Sequence, residues 1–130
     1  MRAGQTRLMS DDGRQPSAPR IGQVLHPVSD VRAAVDFYRQ AFGFTTKFVD
    51  GERYAALDAG GTTLALASPE EDLTGGAPAA AVRVTDVPAA VADVVEAGGQ
   101  ILRAAESGPH ESRAVIRDPW GNTLVVYGPR

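Results

Sequence analysis

Cysteine is absent from all 130 residues, which excludes disulfides, thiolate metal ligands and a cysteine nucleophile together. Lysine is nearly absent as well. Of 13 basic residues only Lys47 is a lysine, and the arginines are scattered through a chain with 16 acidic residues and a net charge of −3. No basic stripe is available to follow a phosphate backbone, so nucleic acid is not an expected partner. Long apolar runs are missing too: none approaches the roughly 20 residues that span a bilayer. The opening MRAGQTRLMSDDGRQPSAPR contains no apolar stretch of the kind that marks a secretory leader. No membrane contact and a cytoplasmic location are the expectations.

What is present is enough apolar material, 43% of the chain, for one core and hardly for two. Residues 1–20 are polar, contain Gly and Pro and show no periodicity, so they are expected to form a disordered tail, and Met9 is an alternative start to Met1. The rest contains a repeat. Sliding the chain by 56 places VSDVRAAVDFYRQAFG (28–43) on VTDVPAAVADVVEAGG (84–99). Sliding it by 60 places RYAALDAGGTTLALAS (53–68) on RAVIRDPWGNTLVVYG (113–128), with Asp58 on Asp118 and Gly61 on Gly121. Each half has one grammar: an apolar run, a capping Ser/Thr-Asp, apolar residues at helical spacing closed by Gly, then three short β-prone runs separated by Gly turns. The expectation is an α+β fold of two tandem βαβββ modules, 21–68 and 79–129, within a single domain at 21–129.

DVRAAVDFYRQAFGF after the first strand and DPWGN before the last resemble the vicinal oxygen chelate superfamily of glyoxalases, bleomycin resistance proteins and dioxygenases. The resemblance covers about residues 20–129. It implies that each module curls its sheet into a half-barrel, that the two form a cup with the helices outside, and that the cup holds a metal or a ligand. In metal-dependent members of that superfamily, ligands stand seven residues before each helix-capping Asp and four after each turn Gly. Here those positions are Gln23, Ala79, Ala65 and Val125. A catalytic divalent ion needs about three protein donors, whereas this set offers one amide and three alkyl groups. No metal and no other cofactor is expected.

His26 lies three residues from Gln23 on one strand, so it should face the helices as a structural histidine. His110, in the loop GPHES, is placed at the mouth of the cup. PEED at 69–72 reads as a solvated linker, and Arg53 and Arg113, matched at the offset of 60, read as equivalent strand-end residues. Alternation puts Leu25 and Tyr127 beside Gln23 and Val125 on the inner face, with Phe48, Tyr54 and Trp120 as aromatic residues near the rim. The expected ligand site is therefore Gln23, Leu25, Phe48, Tyr54, Ala65, Ala79, His110, Trp120, Val125 and Tyr127. The favoured reading is a metal-free protein that binds a small hydrophobic or aromatic natural product, as in resistance by sequestration. The alternative is a metal-independent lyase, isomerase or tailoring enzyme; a metal-dependent glyoxalase or dioxygenase is disfavoured by the missing donors. A homodimer is also expected.

Overall fold

A computed structural model describes residues 18–130; residues 1–17, which hold most of the expected tail, lie outside the described residues. The elements run β1 (Arg20–Pro27), α1 (Val31–Phe42), β2 (Thr45–Asp50), β3 (Tyr54–Asp58), β4 (Thr63–Ala67), a 3-10 turn (Pro69–Glu71), β5 (Ala79–Arg83), α2 (Val87–Glu96), β6 (Gln100–Ser107), β7 (Ser112–Arg117) and β8 (Thr123–Gly128). The fold is α+β, with βαβββ occurring twice. No helix among the described residues is long and apolar enough to cross a membrane.

The helices start by the same device. Asp30 (φ −143°, ψ 101°) and Asp86 (φ −141°, ψ 99°) have nearly identical backbones, and each side chain accepts the N–H of the residue three ahead, Ala33 or Ala89, at 3.0 Å. This satisfies one of the amides a helix start leaves unpaired. α1 stops at Gly43, whose φ of 75° suits a residue without a Cβ. In α2, Pro88 stands in the first turn, where the missing N–H costs nothing.

All eight strands form one sheet in the order β2-β3-β4-β1-β5-β8-β7-β6. Within each module the first strand runs parallel to the last, and the two modules meet where β1 pairs antiparallel with β5. The seam joins two segments of one chain, so the sheet is complete without a second copy. β2 and β6 are left as its edges.

Side-chain size sorts cleanly across the two faces. On one face Leu57, Leu64 and Leu66 pack with Val31 of α1, and Ala114, Ile116 and Val126 pack with Val87 and Val91 of α2. Full burial of each large aliphatic chain stabilises by about 1.5–3 kcal/mol. The intervening residues point to the opposite face, and there the centre holds Ala65, Ala67, Ala79 and Ala81 with Leu25, Val115 and Val125. Large residues under the helices and small ones on the other side leave that second face hollow.

The duplication carries one slip. Asp58 pairs with Thr63 across four turn residues, whereas Arg117 pairs with Thr123 across five. The last strands of the modules therefore stay 60 residues apart, but the strands before them are 59 apart, which makes Ala55 the counterpart of Ala114, Leu57 of Ile116 and Tyr54 of Arg113. The burial pattern agrees, since Ala55 and Leu57 lie under α1 as Ala114 and Ile116 lie under α2. The expected equivalence of Arg53 and Arg113 is corrected accordingly, because a one-residue slip turns a strand's side chains to the other face.

Candidate functional site

The hollow face encloses a cavity of about 360 Å³. Seven strands contribute to it, from Phe48 on β2 to Arg113 on β7, so the sheet must curl around it as a cup. Its base is apolar, with Leu25, Ala67, Ala81 and Val125, and Leu73 joins from the segment between the modules. Its mouth is polar, with Asp50, Glu71, His110, Glu111 and Arg113.

Seven of the ten expected residues line this cavity: Gln23, Leu25, Phe48, Tyr54, His110, Val125 and Tyr127. Ala65 and Ala79 have the expected inward direction but are 0% and 5% exposed, packed beneath the lining. Trp120 is outside the cavity, 83% exposed. The turn that carries it lies at the Thr123 end of β8, next to Gly98 at the end of α2, while the mouth is at the Tyr127 end. Its expected rim position is corrected. DPWGN is held by its own carboxylate: Asp118 accepts the N–H groups of Trp120 (3.0 Å) and Asn122 (2.8 Å) and the Asn122 side-chain amide (2.9 Å). These bonds, that of the Asn122 side chain foremost, hold Asp118 below the ordinary carboxyl value.

Two tyrosines shape the interior. Tyr54 Oη donates a long bond of 3.5 Å to Gln23 Oε1. Burial is the main cause that pushes the Tyr54 phenol up, with the Glu111 and Tyr127 charges adding and the Gln23 bond opposing. The phenol is therefore a neutral hydrogen-bonding group, not a base. Tyr127 lies across β1 at Gly22, where any Cβ would overlap its hydroxyl, and the Arg83 guanidinium lies 5.7 Å from its ring centre. Gly22 sits where the β1–β5 register shifts, so a bulge and a missing side chain together make room for that ring.

The four positions that hold metal in metal-dependent members present, in this chain, one amide oxygen already bonded to Tyr54 and three alkyl groups. They do not fit a divalent ion. Among the described residues no three His, Cys, Asp or Glu side chains gather around a common point. His26 faces α1, with Nδ1 3.3 Å from the Tyr38 hydroxyl, as its parity requires.

Four residues of the mouth, Asp50, Glu71, Glu111 and Arg113, are absent from the expected site. Glu71, within the run read as a solvated linker, forms an ion pair with Arg53 through both Nε and Nη2 and lines the cavity; the 3-10 turn that aims it has no strong sequence signal. Arg53 is raised further above its ordinary value by that partner. Asp50, at the end of β2, and Glu111, just before β7, also line the cavity. Arg113 pairs directly with Tyr127 across the β7–β8 hairpin, and directly paired residues share a face.

The glyoxalase/bleomycin resistance protein/dioxygenase superfamily model matches residues 20–126. An uncharacterized protein of Mycolicibacterium smegmatis is 37% identical over 109 residues, 84% of this chain and 93% of that one. A solved structure described as the NAD-dependent benzaldehyde dehydrogenase of Legionella pneumophila superposes with a TM-score of 0.71 at 17% identity, over 83% of this chain and 98% of the other. A superfamily member from Vibrio splendidus does so with a TM-score of 0.65 at 18% identity, over 83% and 97%. At those identities the structures speak for the fold alone, which agrees with the paired βαβββ modules and the cup. The chain belongs to the glyoxalase/bleomycin resistance protein/dioxygenase superfamily.

Proposed function

We propose that the protein is a metal-free binder of a small aromatic molecule, held in the cup and released unchanged. The observation that carries this reading is the lining: Leu25, Ala67, Ala81 and Val125 at the base, with Phe48 and Tyr54 forming an aromatic wall. Their ring centroids are 6.3 Å apart, tilted by 53°. An apolar hollow with a few directed polar groups suits a small ligand, and an aromatic pair adds about 0.5–1.5 kcal/mol beyond area burial. Sequestration fits this reading better than turnover, because the titratable groups other than the tyrosines gather at the mouth and leave the base of the cup apolar.

The test fills the hollow. Ala81 stands between Gln23 and Val125, and Ala81→Leu should cost about 1–3 kcal/mol of stability through overpacking while blocking the cup. Wild-type protein should give saturable binding of 2-naphthamide by ligand-observed NMR, with the compound recovered intact. The variant should unfold cooperatively and bind none. Equal binding by both would place the ligand elsewhere. A stoichiometric Zn, Ni, Mn or Fe retained after gel filtration would refute the metal-free part of the reading.

A further inference from the structure

The two inner walls of the cup are built from corresponding residues of different chemistry. In the first module Phe48 on β2 and Tyr54 on β3 face the cavity; the register places Arg103 on β6 and Arg113 on β7 at the corresponding sites of the second. One wall is aromatic and the other carries guanidinium groups. Arg113 lines both the main cavity and the adjoining space of about 440 Å³ at its mouth, which Arg103 also lines.

Arg113 differs from the other arginines of that mouth in having no carboxylate partner among the described residues. Arg53 is taken by Glu71, and Arg103 lies 4.0 Å from Glu106. Glu106 is the cross-strand neighbour of Arg113, yet among the described residues no carboxylate comes within ion-pair distance of Arg113. Its Nε is buried and, among the described residues, without a hydrogen-bond partner, with Gly108 beside it. Arg113 also lines the cavity, so a group that supplies an acceptor there meets a cation that no described carboxylate neutralises.

We propose that the ligand is a planar aromatic acid, with its ring against Phe48 and Tyr54 and its carboxylate on the Arg113 guanidinium; this rests on the aromatic-ligand reading above. The planar fork of arginine matches a carboxylate through two parallel bonds, which an ammonium cannot do. Asp50 and Glu111 also border the cavity and oppose an anion, but both lie beyond ion-pair distance of Arg113. Short charge-assisted bonds outweigh a longer, water-screened repulsion.

Three probes with one ring system separate the contributions: 2-naphthoate, neutral 2-naphthamide and cationic 2-naphthylmethylammonium, titrated against the full chain by calorimetry. The acid should bind about tenfold more tightly than the amide, and the cation more weakly than either. Arg113→Gln should erase the preference for the acid by lowering the acid's affinity more than the amide's, and Arg113→Lys should restore only part of it. Free of ligand, Arg113→Met should melt at or above the wild-type temperature, since no native partner is lost. Binding of acid and amide with equal affinity, or preference for the cation, overturns the proposal but spares the aromatic-ligand reading. Failure of all three to bind overturns both. A fall in melting temperature for Arg113→Met, together with an intact acid preference in Arg113→Gln, would make Arg113 a structural residue.

Discussion

The two modules agree where their side chains meet the helices and disagree where they meet the cavity. Under the helices, Leu57 corresponds to Ile116, Ala55 to Ala114 and Leu66 to Val126, each apolar and buried. At the cup the corresponding positions hold Phe48 and Tyr54 on one side and, on the other, Arg113 in the cavity and Arg103 in the space at its mouth. Duplication has thus preserved what each module needs to fold and left the shared hollow free to diverge. A symmetric cup would present the same chemistry twice; this one presents two complementary surfaces to one occupant.

The agreement can be tested at its strongest point by truncating matched core residues. Leu66→Ala should cost about 2–5 kcal/mol by urea denaturation. Val126→Ala should cost less by roughly one methylene, about 0.8 kcal/mol. Equal m-values would show that both modules unfold as one unit, and a split transition would show the seam between β1 and β5 to be weaker than either module. A smaller and more exact comparison lies in the helix caps. Asp30→Ala and Asp86→Ala remove bonds of the same length from backbones within about 2° of one another, so each should cost about 1 kcal/mol and the two losses should match. A difference beyond error would mean that the helices are not equally coupled to the sheet.

The smallest effect is on the acid limb. Asp58 is held below its ordinary value of 3.8 chiefly by the Gly61 and then the Gly60 backbone amides, and Asp118 chiefly by the Asn122 side chain and backbone. A carboxyl depressed in the native state contributes stability that is fully present above the unfolded value and is lost as pH falls through the native one. Both turns should therefore weaken below about pH 4. Asp118→Ala should flatten the acid limb of the melting curve without changing its slope near neutrality. An unchanged limb would mean that the turn carboxylates contribute nothing through ionisation.

Much of this was legible beforehand because it depends on local rules. The capping Asp residues, the Gly stops and the alternation through β1, β4 and β8 are short-range patterns; they sufficed for the module architecture and, once the resemblance had placed Gln23 and Val125, for Leu25 and Tyr127 beside them. Three things were not legible. The extra residue in the DPWGN turn breaks the simple offset of 60, and only strand pairing reveals which of Arg53 and Arg113 turns inward. Trp120 was misplaced for a related reason: closeness in sequence to Val125 does not give closeness to the cavity, since an extended strand advances about 3.4 Å per residue away from the turn. The direction of Glu71 depends on a short irregular segment between modules, where neither periodicity nor capping applies.

The strands at the two ends of the sheet bear on how copies of the protein meet in a crowded solution. β2 slips register between Thr46 and Phe48, and β6 slips twice, between Ile101 and Arg103 and again before Glu106. Lys47, Arg103 and Glu106 carry charge at these irregular stretches. An outer strand with a straight row of free amides and carbonyls invites another chain to extend the sheet, whereas bulges and charges spoil that template. Since every residue of both strands is exposed, this irregularity works against another chain extending the open eight-stranded sheet.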